Sequence, residues 1–118
     1  MARRTLKITI NPDLKSFLSA ARRKALSGGY RGESLSFEAP ELFLTRLTAL
    51  RWALVRALMG EGEIPLRELA RRVGRDVKRV HGDIAALTEM GLVERTDTGG
   101  VRCPYEDIHI DLHLRRAA

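Results

Sequence analysis

A single cysteine, Cys103, excludes an internal disulfide and any metal centre built from clustered thiolates. The expected compartment is therefore a reducing one. No stretch approaches the ~20 apolar residues of a membrane-spanning helix, and Met1-Ala2-Arg3-Arg4 leads into alternation instead of the apolar core of a signal peptide. These absences predict a cytoplasmic protein with no membrane partner. Aromatic residues make up only 5% of the chain against a hydrophobic share of 44%, so the core must be aliphatic, and the chain is too apolar to stay disordered. Neither Gly28-Gly29 nor Gly99-Gly100 has the strand, loop and helix setting, with Lys-Ser or Lys-Thr, of a phosphate loop. With no nucleophile beside a base and no paired carboxylates, the sequence predicts no cofactor and no enzymatic activity.

What is present begins with charge. The formal net charge of +6 is unevenly spread. Residues 1–27 carry seven basic groups against Asp13 alone, whereas residues 64–118 carry ten against nine acidic. Within that balanced stretch, residues 64–84 hold Arg67, Arg71, Arg72, Arg75, Lys78 and Arg79 against Glu68, Asp76 and Asp83. The local surplus suffices to steer a polyanion, but Arg-rich helices are as often simply soluble faces, so charge by itself does not decide.

At 118 residues the chain holds one core with an appended element. Leu6, Ile8 and Ile10 alternate with polar Lys7 and Thr9, the period of a strand with one buried face. Asn11 and Pro12 read as a helix start, and Leu14, Phe17, Leu18, Ala21 and Ala25 recur at helical spacing up to Gly28-Gly29. Residues 34–38 alternate again, making residues 1–39 a strand-helix-strand unit for dimerisation or partner binding. Residues 40–59 suit one helix, or two joined near Thr48. A short helix over 66–73, a turn at Gly74-Arg75, and a longer helix from Asp76 to Met90 follow, stopped by Gly91. Residues 92–103 read as a hairpin about Asp97-Thr98-Gly99-Gly100. Ile108, Ile110, Leu112 and Leu114 alternate with His109, Asp111 and His113, a last strand whose apolar side is expected to be buried. The two histidines with Asp111 share a face on which a metal could sit, but a solvent face is the plainer account, and no metal is predicted.

Residues 66–95 meet several physical demands at fixed offsets. Ala70 is small where a second helix would cross, Gly74 can take a left-handed turn angle, and Val77, Val80, Ile84 and Leu87 form an inward stripe. The opposite face of that second helix carries Lys78, Arg79, His81, Gly82 and Asp83 in its first two turns, where a recognition helix meets the major groove. Asp83 either accepts from cytosine or repels a phosphate there, or it is a surface charge paired with Arg79, one turn earlier.

From Leu69-Ala-Arg-Arg-Val-Gly74 through Met90-Gly-Leu-Val-Glu-Arg95, residues 47–103 resemble the winged helix-turn-helix of MarR-like regulators. With its N-terminal strand-helix-strand, the whole chain is similar to small regulators often encoded beside a toxin gene. The resemblance implies an α+β fold: a winged helix-turn-helix over residues 40–104, preceded by the 1–39 element and followed by a C-terminal strand and tail over 105–118. It implies a sequence-specific, autorepressing binder of double-stranded DNA, acting as a homodimer. The alternative it implies is an antitoxin that neutralises a partner toxin. By position, Lys78 and Arg79 would contact guanines, and His81 a base or phosphate. Gly82 would admit close approach, Arg67, Arg71 and Arg75 would hold phosphates, and Arg95 and Arg102 would serve the wing.

Overall fold

The computed structural model describes residues 4–10, 13–27, 32–114 and 116. The chain is α+β and divides into two compact units, residues 1–45 with 107–118, and residues 46–106. The sequence puts the boundaries at 39/40 and 104/105. They fall later because residues 40–45 go with the first unit, and β-structure resumes only at Asp107.

In the first unit, β1 (Thr5–Ile10), α1 (Leu14–Ser27) and β2 (Glu33–Phe37) form a parallel crossover, the only short way to bring two parallel strands together. The Arg4 guanidinium forks onto Glu33, with Nη2 2.6 Å from Oε1 and Nε 3.1 Å from Oε2, and so ties together the starts of both strands. The helix α2 (Pro40–Arg46) is fastened to the end of β2 by an edge-to-face contact of Phe43 with Phe37, ring centroids 5.5 Å apart. The last strand, β6 (Asp107–Leu112), adds parallel to β1, giving the order β2-β1-β6.

Leu6, Ile8 and Ile10 of the central strand are buried. The expectation that Ile108, Ile110, Leu112 and Leu114 are buried too needs correcting: Ile108 is half-buried, Ile110 and Leu112 are 42% and 44% exposed, and Leu114 is exposed. An edge strand has neighbours on one flank only, so periodicity names its apolar face without saying that anything covers it. On α1, Leu18, Ala21 and Ala25 are likewise exposed instead of facing a core. The helix start expected at Asn11-Pro12 and the turn at Gly28-Gly29 lie outside the described residues.

In the second unit, the Thr48 hydroxyl accepts from the Arg51 amide and starts α3 (Ala49–Leu58). Next come β3 (Ile64–Pro65), α4 (Leu66–Val73), α5 (Val77–Met90), β4 (Glu94–Arg95) and β5 (Gly100–Arg102), the strands forming a small antiparallel sheet β3-β5-β4. Gly74 caps α4 at φ +68°, a left-handed angle that a side chain would strain, and its amide reaches back to Ala70 and Arg71. The Asp76 carboxylate then accepts from the Arg79 amide and starts α5. Leu54, Val55, Leu58, Leu69, Val80, Ile84, Leu87 and Leu92 form the dry centre of this unit. Val77, expected in the inward stripe, is 40% exposed, since the first residue of α5 sits on the edge of that stripe. No helix among the described residues is long and apolar enough to cross a membrane.

Candidate nucleic-acid interface

The burial of Val80, Ile84 and Leu87 fixes which way α5 faces. At 3.6 residues per turn, Lys78, Gly82 and Ala85 lie opposite that buried stripe, with His81 on one flank and Arg79 on the other. All five are exposed. The centre of the face is thus low, built from a glycine and an alanine, and cations stand around its N-terminal end.

Gly82 is unusual. A Cβ placed on it would meet nothing within 4 Å, so packing inside the chain does not demand a glycine there. In the middle of a helix, glycine costs about 0.5–1 kcal/mol relative to alanine. The expected result for Gly82→Ala is therefore a chain more stable by about that amount in a urea melt, yet weaker on DNA if the backbone there meets a groove. Unchanged DNA affinity in the stabilised variant would remove Gly82 from the interface.

The other candidate cations sort by whether an acid already holds them. Among the described residues, Arg67, Lys78, Arg79 and Arg95 have no acidic partner. Arg71 forks onto Glu68, which also takes Arg72 at 3.1 Å. Hydrogen bonds from Arg71 and then Arg72 hold the Glu68 carboxyl below the usual carboxylate range, and the same pairing raises Arg71. Arg102 lies 2.9 Å from Glu94 across the hairpin. On the hairpin side, Arg95 Nη2 is 3.5 Å from His81 Nε2, so β4 and α5 present these two side chains together.

Arg75 stands apart from the set. Its side chain is only 19% exposed, and Nη2 lies 2.8 Å from Asp83 Oδ2, while the other oxygen of Asp83 accepts from Arg51 Nε at 3.0 Å. Asp83 is thus clamped between two arginines, neither of them Arg79. Burial pushes its carboxyl up, but hydrogen bonds from Arg75 and Arg51, together with their charges, pull it net below the ordinary aspartate value. Arg75 Nη1 is buried with no hydrogen-bond partner among the described residues. A guanidinium committed this way positions the α4–α5 turn and is not available to a phosphate.

Sequence reasoning missed three groups. Arg51 sits in the largely apolar α3, and only the tertiary crossing of α3 over α5 brings it to Asp83. Glu63 accepts from the hydroxyls of Thr96 and Thr98, which lower its carboxyl pKa and lace the hairpin to the start of β3. The Thr96 hydroxyl also accepts from the Gly100 amide at 2.9 Å, closing the turn. No local spacing announces a carboxylate thirty-odd residues from the hairpin it holds.

A family model described as HVO_A0114 matches residues 46–110, more than half of the 118. No curated protein and no solved structure matches the chain.

Proposed function

The chain belongs to the HVO_A0114 family, and we propose that it is a sequence-specific regulator whose second unit binds double-stranded DNA as a winged helix-turn-helix. In this reading α4, the Gly74 turn and α5 form the helix-turn-helix, and β4 and β5 the wing. The observation that carries the reading is the outward face of α5: Lys78, Gly82 and Ala85 between Arg79 and His81, exposed, with neither cation engaged by an acid among the described residues. A low, positively flanked helix face is what a major groove admits, whereas a purely solvated face has no need of Gly82. Lys78 and Arg79 read base edges, His81 a base or phosphate, Arg67 and Arg71 hold phosphates, and Arg95 and Arg102 follow the backbone from the wing. Arg75 drops out of the contact set and acts through Asp83. We take the chain to work as a homodimer repressing its own promoter in the cytoplasm.

A second reading, neutralisation of a partner toxin, draws on the first unit, where Leu18 and Leu26 of α1 are 56% and 74% exposed beside Arg22 and Arg23.

A titration of DNA from directly upstream of the gene, against random duplex of equal length at two salt concentrations, tests the first reading. The expected result is upstream binding that survives competitor, with affinity falling steeply as salt rises. Equal binding to both duplexes, or none, would shift the assignment to the protein-partner role.

A further inference from the structure

Among the described residues β6 pairs with β1 alone, and its other edge carries a pattern that matches itself. His113 donates its amide to Ile10 O at 3.5 Å, so the odd-numbered residues of β6 turn their backbone groups toward β1. By the alternation of a strand, Ile108, Ile110 and Leu112 turn theirs to the open edge. Asp107 to Leu114 contains no lysine, proline or glycine, the residues that usually blunt such an edge.

We propose that β6 is the seam of a homodimer, two copies joining edge to edge and antiparallel about a two-fold axis through Ile110. This gives the homodimer named above an interface and a register. With Ile110 opposite Ile110, the outward amides of Ile108 and Leu112 meet Leu112 and Ile108 of the second copy, as a hydrogen-bonded antiparallel pair requires. On the polar side of the sheet His109 stands opposite Asp111, and Asp107 opposite His113, each pair occurring twice by symmetry. On the apolar side Ile108, Ile110 and Leu112, partly exposed in the single chain, pack across the seam, Ile110 against its own copy and Ile108 against Leu112 of the second copy. Shifting the axis by one residue, to His109 or Asp111, sets Asp against Asp or His against His. Charge therefore selects the Ile110 register over its neighbours. Within each chain Asp111 already lies 2.9 Å from His113 Nε2 and 3.9 Å from Nζ of Lys7, which is in register with His109 on β1, so the cross-seam pairs extend an existing charge cluster on this polar face. The outcome is a six-stranded sheet, β2-β1-β6 running into its symmetry mate.

Light scattering of the full chain over a range of concentrations, with circular dichroism as the folding control, tests this. The wild type is expected to be dimeric, and Ile110→Lys, which faces two ammonium groups across the axis, monomeric with unchanged secondary structure. Asp111→Arg puts an arginine opposite His109 of the second copy and is expected to raise the dimer dissociation constant roughly tenfold. Adding His109→Glu re-forms an opposite-charge pair and is expected to restore the dimer. A chain monomeric throughout, or a dimer indifferent to these variants, overturns the seam, and weakening that His109→Glu does not rescue overturns the register. Titration of the same samples with upstream and random DNA reports separately on the DNA reading.

Discussion

Asp83→Asn is expected to lose about 2 kcal/mol of unfolding stability at neutral pH, read from the midpoint of a urea melt. Removing one partner of a fully buried ion pair costs about 3–5 kcal/mol, because the remaining charge is left desolvated and alone. Here the side chains of Asp83, Arg75 and Arg51 keep 18%, 19% and 25% exposure, so water screens part of the effect. Two guanidiniums, however, lose one carboxylate together, and Arg75 Nη1 already has no partner among the described residues. An amide at position 83 can still accept one hydrogen bond, but it brings no charge.

The pH dependence follows from the direction of the shift. The folded carboxyl lies below its ordinary value. Its contribution is therefore complete above the unfolded aspartate value of about 3.9 and vanishes as pH falls through the lower, folded value. The stability gap between wild type and Asp83→Asn should be constant from neutrality down to about pH 5 and shrink progressively as pH falls below about 4. A gap that does not shrink at all below about pH 4, or is absent at pH 7, would contradict the clamp. Arg75→Ala is expected to behave as its counterpart, lowering stability without changing the salt dependence of DNA binding, which a phosphate ligand would change.

The clamp also marks where sequence stops being informative. Local features reached the elements: period two at Leu6, Ile8 and Ile10 gives β1, the Thr48 hydroxyl divides α2 from α3, and Gly74, Asp76 and Gly91 punctuate α4 and α5. Each depends on backbone preferences within a few residues, which a sequence states directly. Helical spacing offers Arg79 as the partner of Asp83, one turn away, but the arginines that hold it are eight residues away and on another helix. The choice depends on how helices cross, and no short-range spacing encodes it. The same limit applies to β6. Alternation identifies Ile108, Ile110 and Leu112 as one face, while the pairing with β1, about a hundred residues earlier, and the partial exposure of that face arise only in the assembled sheet. For the candidate interface, the residues on the outward face of α5 were legible from the helical period, but which arginines are already occupied by acids was not.

That occupancy sharpens the last expected result. Arg79→Ala is expected to cost about 1–3 kcal/mol against the upstream site and to relax base preference at one position per half-site, since Arg79 stands uncommitted at the edge of the outward face and a bidentate guanine contact is worth that much. Arg71→Ala is expected to weaken upstream and random duplexes alike and to lower the salt slope by about one. The loss at Arg71 should be the smaller, because its guanidinium is already forked onto Glu68 and must be partly drawn away before it neutralises a phosphate. Glu68→Gln then provides an internal check: freeing Arg71 and Arg72 from their shared carboxylate should tighten binding to both duplexes without altering base preference. Both arginines are exposed, so melting midpoints should stay close to wild type, and any loss of binding reports on the contact itself. If Arg79→Ala and Arg71→Ala weaken matched and random DNA in the same proportion, α5 is not the reading helix, and the low face around Gly82 must serve something other than a major groove.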